Sequence, residues 1–466
     1  MKNYNLVKTV LIFLIFTQSI YFAQTFNSHT KSDYLAITGK FISKSLTGLT
    51  GYKMLKELTK KIGPRLSGSP SASRAVKWAK EKLKRIGADS LWYQKMLVPH
   101  WVRGDSEKAI LVSDKMDLGK QLNIASLGSS IGTDNDGLFE KVLEVHSFDE
   151  LDSLKDLVDG KIVFFNTPFD QTLVNTFNAY SKAVQYRVYG ASRAAKYGAA
   201  AVLVRSVTSL YDNVPHVGVM VYKDSVEKIP AAAISLEDAD FLSDVLKIDP
   251  GAKIYLNLNC ANLPEIPSYN VIGEIKGSEK PDEIILIGAH LDSWDKGEGA
   301  HDDGAGVVQA LEVLYLFKNL GIHPKRTVRC VLYMNEENGS RGAKKYGEYA
   351  DTSKERHIAA IESDRGGFTP RGFSVKTDSV SLAKMQSWLP VLQKSLIDWI
   401  RPGGTGADIS KIKNAKALIG FVPDSQRYFE LHHSAHDVLE AVNPRELELG
   451  TAAIATLTYL LSEEGL

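Results

Sequence analysis

The sequence predicts an α/β fold: a mixed, largely parallel sheet flanked by helices, interrupted by a small inserted α/β unit with a sheet of its own. Three observations predict it. Towards the C-terminus, near-continuous apolar runs (283–289, EIILIGA; 327–334, TVRCVLYM; 358–362, IAAIE) alternate with segments of helical period, as parallel strands buried on both faces and joined by helices do. From about 105 to 262 the texture changes to short β-like runs and Gly-rich turns. The chain has 466 residues, 44% of them hydrophobic and 24% charged, enough for two domains or for one with a large insertion.

Residues 1–23 differ from the rest. Lys2 and Lys8 precede an apolar run, Val10 to Phe16, which resumes at Ile20 to Ala23. A basic start and a short apolar core fit a secretory signal peptide, which places the mature protein in the periplasm or outside the cell. The run is short for a membrane span. Ala23 suits a cleavage point, whereas Tyr21 is larger than that site prefers, so an uncleaved anchor is the alternative reading. No Cys lies near the start to carry a lipid, and no later segment is long and apolar enough to span a bilayer.

Residues 25–114 form the first part of the main domain, with 30–100 reading as helical with punctuation. Val76, Ala79, Leu83 and Ile86 recur at helical spacing, with Ser69-Pro70 ahead of them and Gly87 behind, a start and a stop signal. The stretch before them, 63–70 (GPRLSGSP), is a breaker-rich loop. Residues 115–262 are the insert, with strands at 161–166 and 200–205 and a helix at 186–197 closing on Gly198. Residues 263–466 complete the main domain, with helices at 307–320 and about 444–461.

The charge balance excludes one class of partner. Lys plus Arg total 56 against 55 for Asp plus Glu, so no net field draws nucleic acid or anionic lipid. The two cysteines, Cys260 and Cys330, sit in strand-like apolar runs and read as buried free thiols, with a disulfide between them in an oxidising compartment as the alternative reading. Four-cysteine zinc sites are impossible.

The acids and histidines fall where chemistry is expected. His290 ends one predicted strand, Glu336 and Glu337 follow a second, and Asp364 follows a third. In a parallel α/β sheet those C-terminal ends converge on one crevice. Asp302 and Asp303 stand at the start of the helix near Val307, where Asp also serves as an ordinary cap. Three of the eleven histidines lie in 432–436 (HHSAH), outside any regular pattern. The mixture suits divalent metals, zinc first. Two ions need about three protein ligands each, which five residues supply if one bridges. His290 and Asp364 are assigned to one ion, Glu337 and His433 to the other, and Asp302 to both. Asp292, two residues after His290, faces the same side while the strand persists and suits a carboxylate supporting the imidazole. Glu336, adjacent to Glu337, is the candidate general base for an activated water.

These segments resemble the co-catalytic zinc aminopeptidases of the zinc-exopeptidase fold, and within them the carboxypeptidase Q branch. The likeness runs through 270–277 (NVIGEIKG), 290–295 (HLDSWD), 299–306 (GAHDDGAG), 335–337, 362–364 and 433–434. Residues 63–69 are similar to the branch's N-terminal motif. The resemblance implies the same five ligands and the same base, a cis peptide at Asp302–Asp303, and an insert that is a protease-associated domain, matched at 161–163 and 229–235. It also implies dipeptides or short peptides as substrates, and a homodimer. One position departs: where several relatives carry Tyr before the last His ligand, this chain has His432, the candidate oxyanion donor.

Three other readings compete. Residues 128–132 (GSSIG) formally match a nucleophile elbow, but a turn sequence follows where a helix is required. A binding module on the same fold would have lost ligand positions, and here all are intact. A single-zinc cyclase acting on N-terminal glutamine would bind one metal instead of two.

Overall fold

The computed structural model describes residues 28–466, so the signal-peptide reading of 1–23 lies outside the described residues. Its strands in chain order are β1 (Ser90–Val102), β2 (Glu107–Ser113), β3 (Leu118–Leu122), β4 (Ile124–Ser126), β5 (Leu138–Val145), β6 (Ile162–Phe165), β7 (Ala201–Arg205) and β8 (Ala231–Ile234). They continue with β9 (Lys253–Leu258), β10 (Ala261–Ile275), β11 (Lys280–His290), β12 (Arg326–Tyr333), β13 (Arg356–Glu362), β14 (Pro370–Lys376), β15 (Trp399–Pro402) and β16 (Leu418–Pro423). The longer helices are α1 (Ser28–Gly48), α2 (Thr50–Glu57), α3 (Pro70–Ile86), α4 (Thr176–Ala195), α5 (Leu236–Ile248), α6 (Ala305–Asn319), α7 (Arg341–Thr352), α8 (Ser379–Ser387) and α9 (Pro444–Glu464).

The main sheet has eight strands in the order β1-β10-β12-β11-β13-β16-β14-β15. Its centre, β12-β11-β13-β16, is parallel, and β10 and β14 join it antiparallel. Period-two alternation explains why β11 is apolar throughout. Ile285 and Ile287 enter one core with Val308, Leu311 and Leu457, while Ile284 and Leu286 enter the opposite core with Val331 and Tyr346. Helices α6 and α9 cover the first face and α7 the second, so both faces are buried, as the predicted fold class requires.

Helix α3 begins and ends on the predicted signals. Ser69 Oγ accepts from the Ala72 amide at 3.0 Å, Pro70 occupies the first turn, and Gly87 closes the helix at φ 83°. Leu83 packs on β10 at Gly273, where a Cβ would stand 2.9 Å from its methyls. Truncating Leu83 to Ala costs about 2–5 kcal/mol at a site of this burial.

Two expectations need correction. Residues 90–100, read as part of a helical region, belong to β1, because β10 supplies antiparallel partners from Glu274 opposite Ser90 to Ala261 opposite Val102. Those partners lie far along the chain and leave no local periodic signal. The helix read at 186–197 begins earlier, at Thr176, where Asn175 accepts from the Phe177 amide, and it ends at Ala195.

A second eight-stranded sheet takes its strands from Glu107 to Leu258, in the order β3-β2-β9-β5-β6-β7-β8-β4. Its central β5 to β8 are parallel. Trp294, from the loop after β11, inserts into its core and lies against Gly128, where a Cβ would fall 2.0 Å from the indole. Ser130 of the GSSIG stretch is buried, donates to the Ile131 carbonyl and accepts from the Ala231 amide, so it is a structural hydroxyl. Cys260 and Cys330 are free and buried. No described helix is long and apolar enough to cross a membrane.

Candidate metal centre

The parallel strands deliver their chemistry to one edge. His290 is the last residue of β11, Glu336 and Glu337 follow β12, and Asp364 follows β13. Asp302 lies in the single turn Ala300–Gly304 before α6, and its peptide bond to Asp303 is cis, as the resemblance implies. His433 reaches the same place from the loop before α9, at φ 60°.

Asp302 stands between two sets. Its Oδ1 lies 3.2 Å from His290 Nε2, which is also 3.4 Å from Asp364 Oδ1. Its Oδ2 lies 3.2 Å from His433 Nε2, which is also 3.1 Å from Glu337 Oε2. The other ring nitrogens decide what those contacts are. His290 Nδ1 is 3.1 Å from the Asp292 carbonyl and His433 Nδ1 is 3.1 Å from the Val217 carbonyl. A carbonyl only accepts, so each Nδ1 carries a proton. Each Nε2 of a neutral ring therefore turns a lone pair towards two carboxylate oxygens. Lone pairs facing oxygens need a cation between them, either a second proton on each ring or a metal.

The spacing fits a metal. Donors about 2.0–2.1 Å from a tetrahedral zinc stand roughly 3.3 Å apart, and the four contacts span 3.1–3.4 Å. Oδ2 of Asp302 and Oε1 of Glu337 are buried with no hydrogen-bond donor, which leaves them free to bind a cation. The electrostatics of the cluster agree. Burial pushes the His433 imidazole down, and Glu337 and Asp302 more than reverse this, to about 10. Burial and the same kind of carboxylate partners likewise leave His290 well above its ordinary value.

Surrounding groups hold the ligands. Asp303 accepts from the His290 amide and, with its other oxygen, from Gly306 at the start of α6, each at 3.0 Å. Asp437 accepts from the amides of His301 and Asp302 at 2.6 and 3.1 Å; burial raises its carboxyl to about 7. Arg65, fully buried, donates to the carbonyls of Leu291, Glu298 and Gly299 at 2.7–2.9 Å, clamping the loops that carry His290 and Asp302. The second sheet contributes too. The Val217 amide donates to the His433 carbonyl at 2.9 Å and its carbonyl accepts from the His433 ring, so this loop orients the last histidine from both sides.

The remaining candidates fall as follows. The Asp292 carboxylate is 3.9 Å from His290 Nδ1, whereas its Oδ1 accepts from the amides of Asn335 and Glu336 at 2.7 and 3.2 Å. Its main-chain carbonyl, closer to the imidazole, makes the ring contact. Glu336 shares a cavity of about 510 Å³ with the cluster. Burial, with Asp364 and Glu337 nearby, raises its carboxyl well above the usual range. His432 stacks on His433 at 3.5 Å, with Nε2 3.6 Å from Asp302 Oδ2. His301 does not join the cluster: Nδ1 accepts from Gly367 and Nε2 meets the Ala441 carbonyl.

Besides Arg65, four participants were missed in the sequence. Asp303 was passed over as a cap beside Asp302, and Asp437 was not separated from the histidine-rich stretch that precedes it. Val217 acts through its main chain, which leaves no side-chain signal. Tyr428 also lines the cavity, and its hydroxyl makes no hydrogen bond to a described residue. Burial and the carboxylates of Asp302 and Asp364 push this phenol well up, so it stays a donor.

Comparison with known proteins gives three findings beyond a family match. Residues 270–458 match peptidase family M28. Carboxypeptidase Q of Bos taurus is 35% identical over 431 residues, covering 91% of this chain and 89% of the relative. The crystal structure of a peptidase M28 precursor from Shewanella amazonensis is similar with a TM-score of 0.88 at 32% identity, covering 93% of this chain and 97% of that one. A zinc aminopeptidase from Bacillus subtilis shares the fold, with a TM-score of 0.61 at 18% identity over 87% and 94% of the two chains.

Proposed function

The chain belongs to peptidase family M28, and from that premise we propose that it is an exported two-zinc exopeptidase that cleaves dipeptides or short peptides. It is a zinc-dependent hydrolase of peptide bonds, akin to carboxypeptidase Q. The observation that carries the two-metal reading is the pair of imidazole–carboxylate sets sharing Asp302. His290 and Asp364 would hold one zinc, Glu337 and His433 the other, and Asp302 both. When bound, zinc supplies Lewis acidity, making a water a competent nucleophile at neutral pH and polarising the scissile carbonyl.

The protein's own groups do the rest. Glu336 accepts the proton of the attacking water and returns it to the leaving nitrogen. Tyr428 is better placed than His432 to donate to the developing oxyanion: its phenol stays protonated and free of described partners, whereas His432 is stacked against a ligand. Asp303, Asp437 and Arg65 fix the loops so that the ligands need not reorganise.

The insert read at 115–262, whose sheet begins earlier, at β2 (Glu107–Ser113), would be a protease-associated domain that roofs the site and orients His433 through Val217. Chelation tests the metal reading. Metal-free protein should lose hydrolysis of a dipeptide such as Ala-Leu and regain it with zinc, whereas full turnover without metal would contradict it. The same preparation in light scattering tests the homodimer, which a monomer mass at working concentration would rule out.

A further inference from the structure

We propose that an arginine-lined cavity beside the metal site receives an acidic side chain of a peptide longer than a dipeptide, and so favours acidic oligopeptides as substrates. The proposal rests on the peptidase reading above. The cavity that holds His290, Asp302, Glu336 and His433 measures about 510 Å³, enough to enclose a small ligand such as a dipeptide. Two further cavities lead away from it. One of about 240 Å³ shares Asp364 and Phe177 with the metal cavity. The next, of about 550 Å³, shares Phe177, Arg365 and Gly404 with the second. The three form one cleft, which a dipeptide leaves mostly unfilled.

The far cavity is basic. Arg365, Arg371 and Arg401 line it, against Asp424 as the one carboxylate. Asp424 is already paired, with its Oδ2 2.9 Å from Arg371 Nη2. Among the described residues neither Arg365 nor Arg401 forms an ion pair. Arg365 donates to the Thr405 carbonyl at 3.5 Å and lies 4.8 Å from the centre of the Phe177 ring. The acids nearest the passage are engaged elsewhere: Glu362 accepts from the Asp408 and Ile409 amides at 3.3 and 2.7 Å, and Asp364 belongs to the metal set. Two guanidinium groups are left over, and each can bind a carboxylate through two parallel hydrogen bonds.

The fold sets Arg401 in place. It stands two residues after Trp399 on β15, so both side chains leave the same face; Ser374 and Gly372 oppose them on β14. A Cβ at Gly372 would fall 2.3 Å from the indole, so glycine is what lets Trp399 lie against β14. The Arg401 guanidinium rests 3.9 Å from the centre of that ring, held by it through a cation–π contact. Stacking leaves the N–H donors in the guanidinium plane free for a ligand. Phe177 and Asn178, at the start of α4, close the cavity from the side of the second sheet. The far end is open, since Arg371 and Arg401 are exposed, and peptide length is not capped there.

The test uses zinc-loaded full-length protein, with Ala-Leu as reference and two pairs of tetrapeptides. Glu-Ala-Ala-Leu is compared with Gln-Ala-Ala-Leu, and Leu-Ala-Ala-Glu with Leu-Ala-Ala-Gln. Whichever terminal bond is cut, one pair carries its acid far from that bond. Terminal groups are identical within a pair, so they contribute nothing to its ratio. Wild type should favour the Glu member of that pair by roughly tenfold in kcat/KM, the scale of one hydrogen bond to a charged group. The preference should shrink as salt rises. Arg365→Gln and Arg401→Gln should each bring the ratio towards one, mainly through KM. Thermal unfolding checks both, and Arg401→Gln, at an exposed position, serves alone if Arg365→Gln does not fold. Equal rates within both pairs would overturn the proposal, as would a wild-type ratio unchanged in both variants. A preference confined to the pair with its acid at the cleaved end would overturn it in favour of the metal cavity. Cleavage of Ala-Leu but of no tetrapeptide would overturn it and leave the peptidase reading standing. A wild type that cleaves none of these peptides, Ala-Leu included, would overturn the peptidase reading itself, and this proposal with it.

Discussion

Replacing Arg65 by Met should loosen the metal centre without touching a ligand. The guanidinium makes three hydrogen bonds, to Leu291 O at 2.7 Å, Glu298 O at 2.8 Å and Gly299 O at 2.9 Å. Hydrogen bonds from a charged donor contribute about 1.5–3 kcal/mol each, which sums to roughly 4–9 kcal/mol. Burial opposes the charged form of this side chain, and the carboxylates of Asp437, Asp303 and Asp292 only partly offset it. Removing the charge relieves a burial cost of several kcal/mol. The net loss is then about 3–5 kcal/mol, concentrated in the loops that follow His290 and precede Asp302. Losses of this kind around a metal site lower affinity about ten- to hundredfold. Zinc affinity, read by competition with a chromophoric chelator, should drop on that scale. Arg65→Lys, which can reach fewer of the three carbonyls, should fall between. Zinc affinity within about twofold of wild type in Arg65→Met, with unchanged unfolding, would show that the clamp holds nothing the site needs.

Two further outcomes follow from named groups. Tyr428→Phe should lower kcat by roughly a hundredfold with little change in KM, as removal of an oxyanion donor does; a larger kcat loss in His432→Ala than in Tyr428→Phe would return that role to His432. Glu312 and Glu448 form a buried carboxyl pair capping α2, accepting from the Gly51 and Tyr52 amides at 3.0 Å each. Burial first, then Glu448, raises Glu312 well above its ordinary value. A carboxyl raised by folding stabilises fully below its unfolded pKa, and that contribution is lost as pH rises through the folded value, at up to about 1.4 kcal/mol per pH unit for one proton. Stability to denaturant should therefore fall on the alkaline side of the usual carboxylate range in wild type and less so in Glu312→Gln; parallel curves would refute the raised carboxyl.

The legible parts of this protein were those written locally. Helix α3 announces itself through Ser69, Pro70 and Gly87, and β11 through an apolar run that needs no partner to be recognised. His290, Glu337 and Asp364 could be grouped because a parallel sheet brings the ends of its strands together. What escaped depends on distant chain. Strand β1 is fixed by β10, which pairs Ser90 with Glu274. The Val217 carbonyl orients His433 from 216 residues away. Arg65 looks like any other arginine until the fold buries it among carbonyls.

The central claim, two zinc ions worked by one carboxylate, is tested most directly by metal content and dipeptide turnover measured together on wild type and Glu336→Gln. The account predicts about two zinc ions per chain in both proteins, with turnover reduced at least a hundredfold in the variant alone. One zinc or none in the reconstituted wild type would contradict the paired site, and a variant that turns over like wild type would remove Glu336 from the role of base.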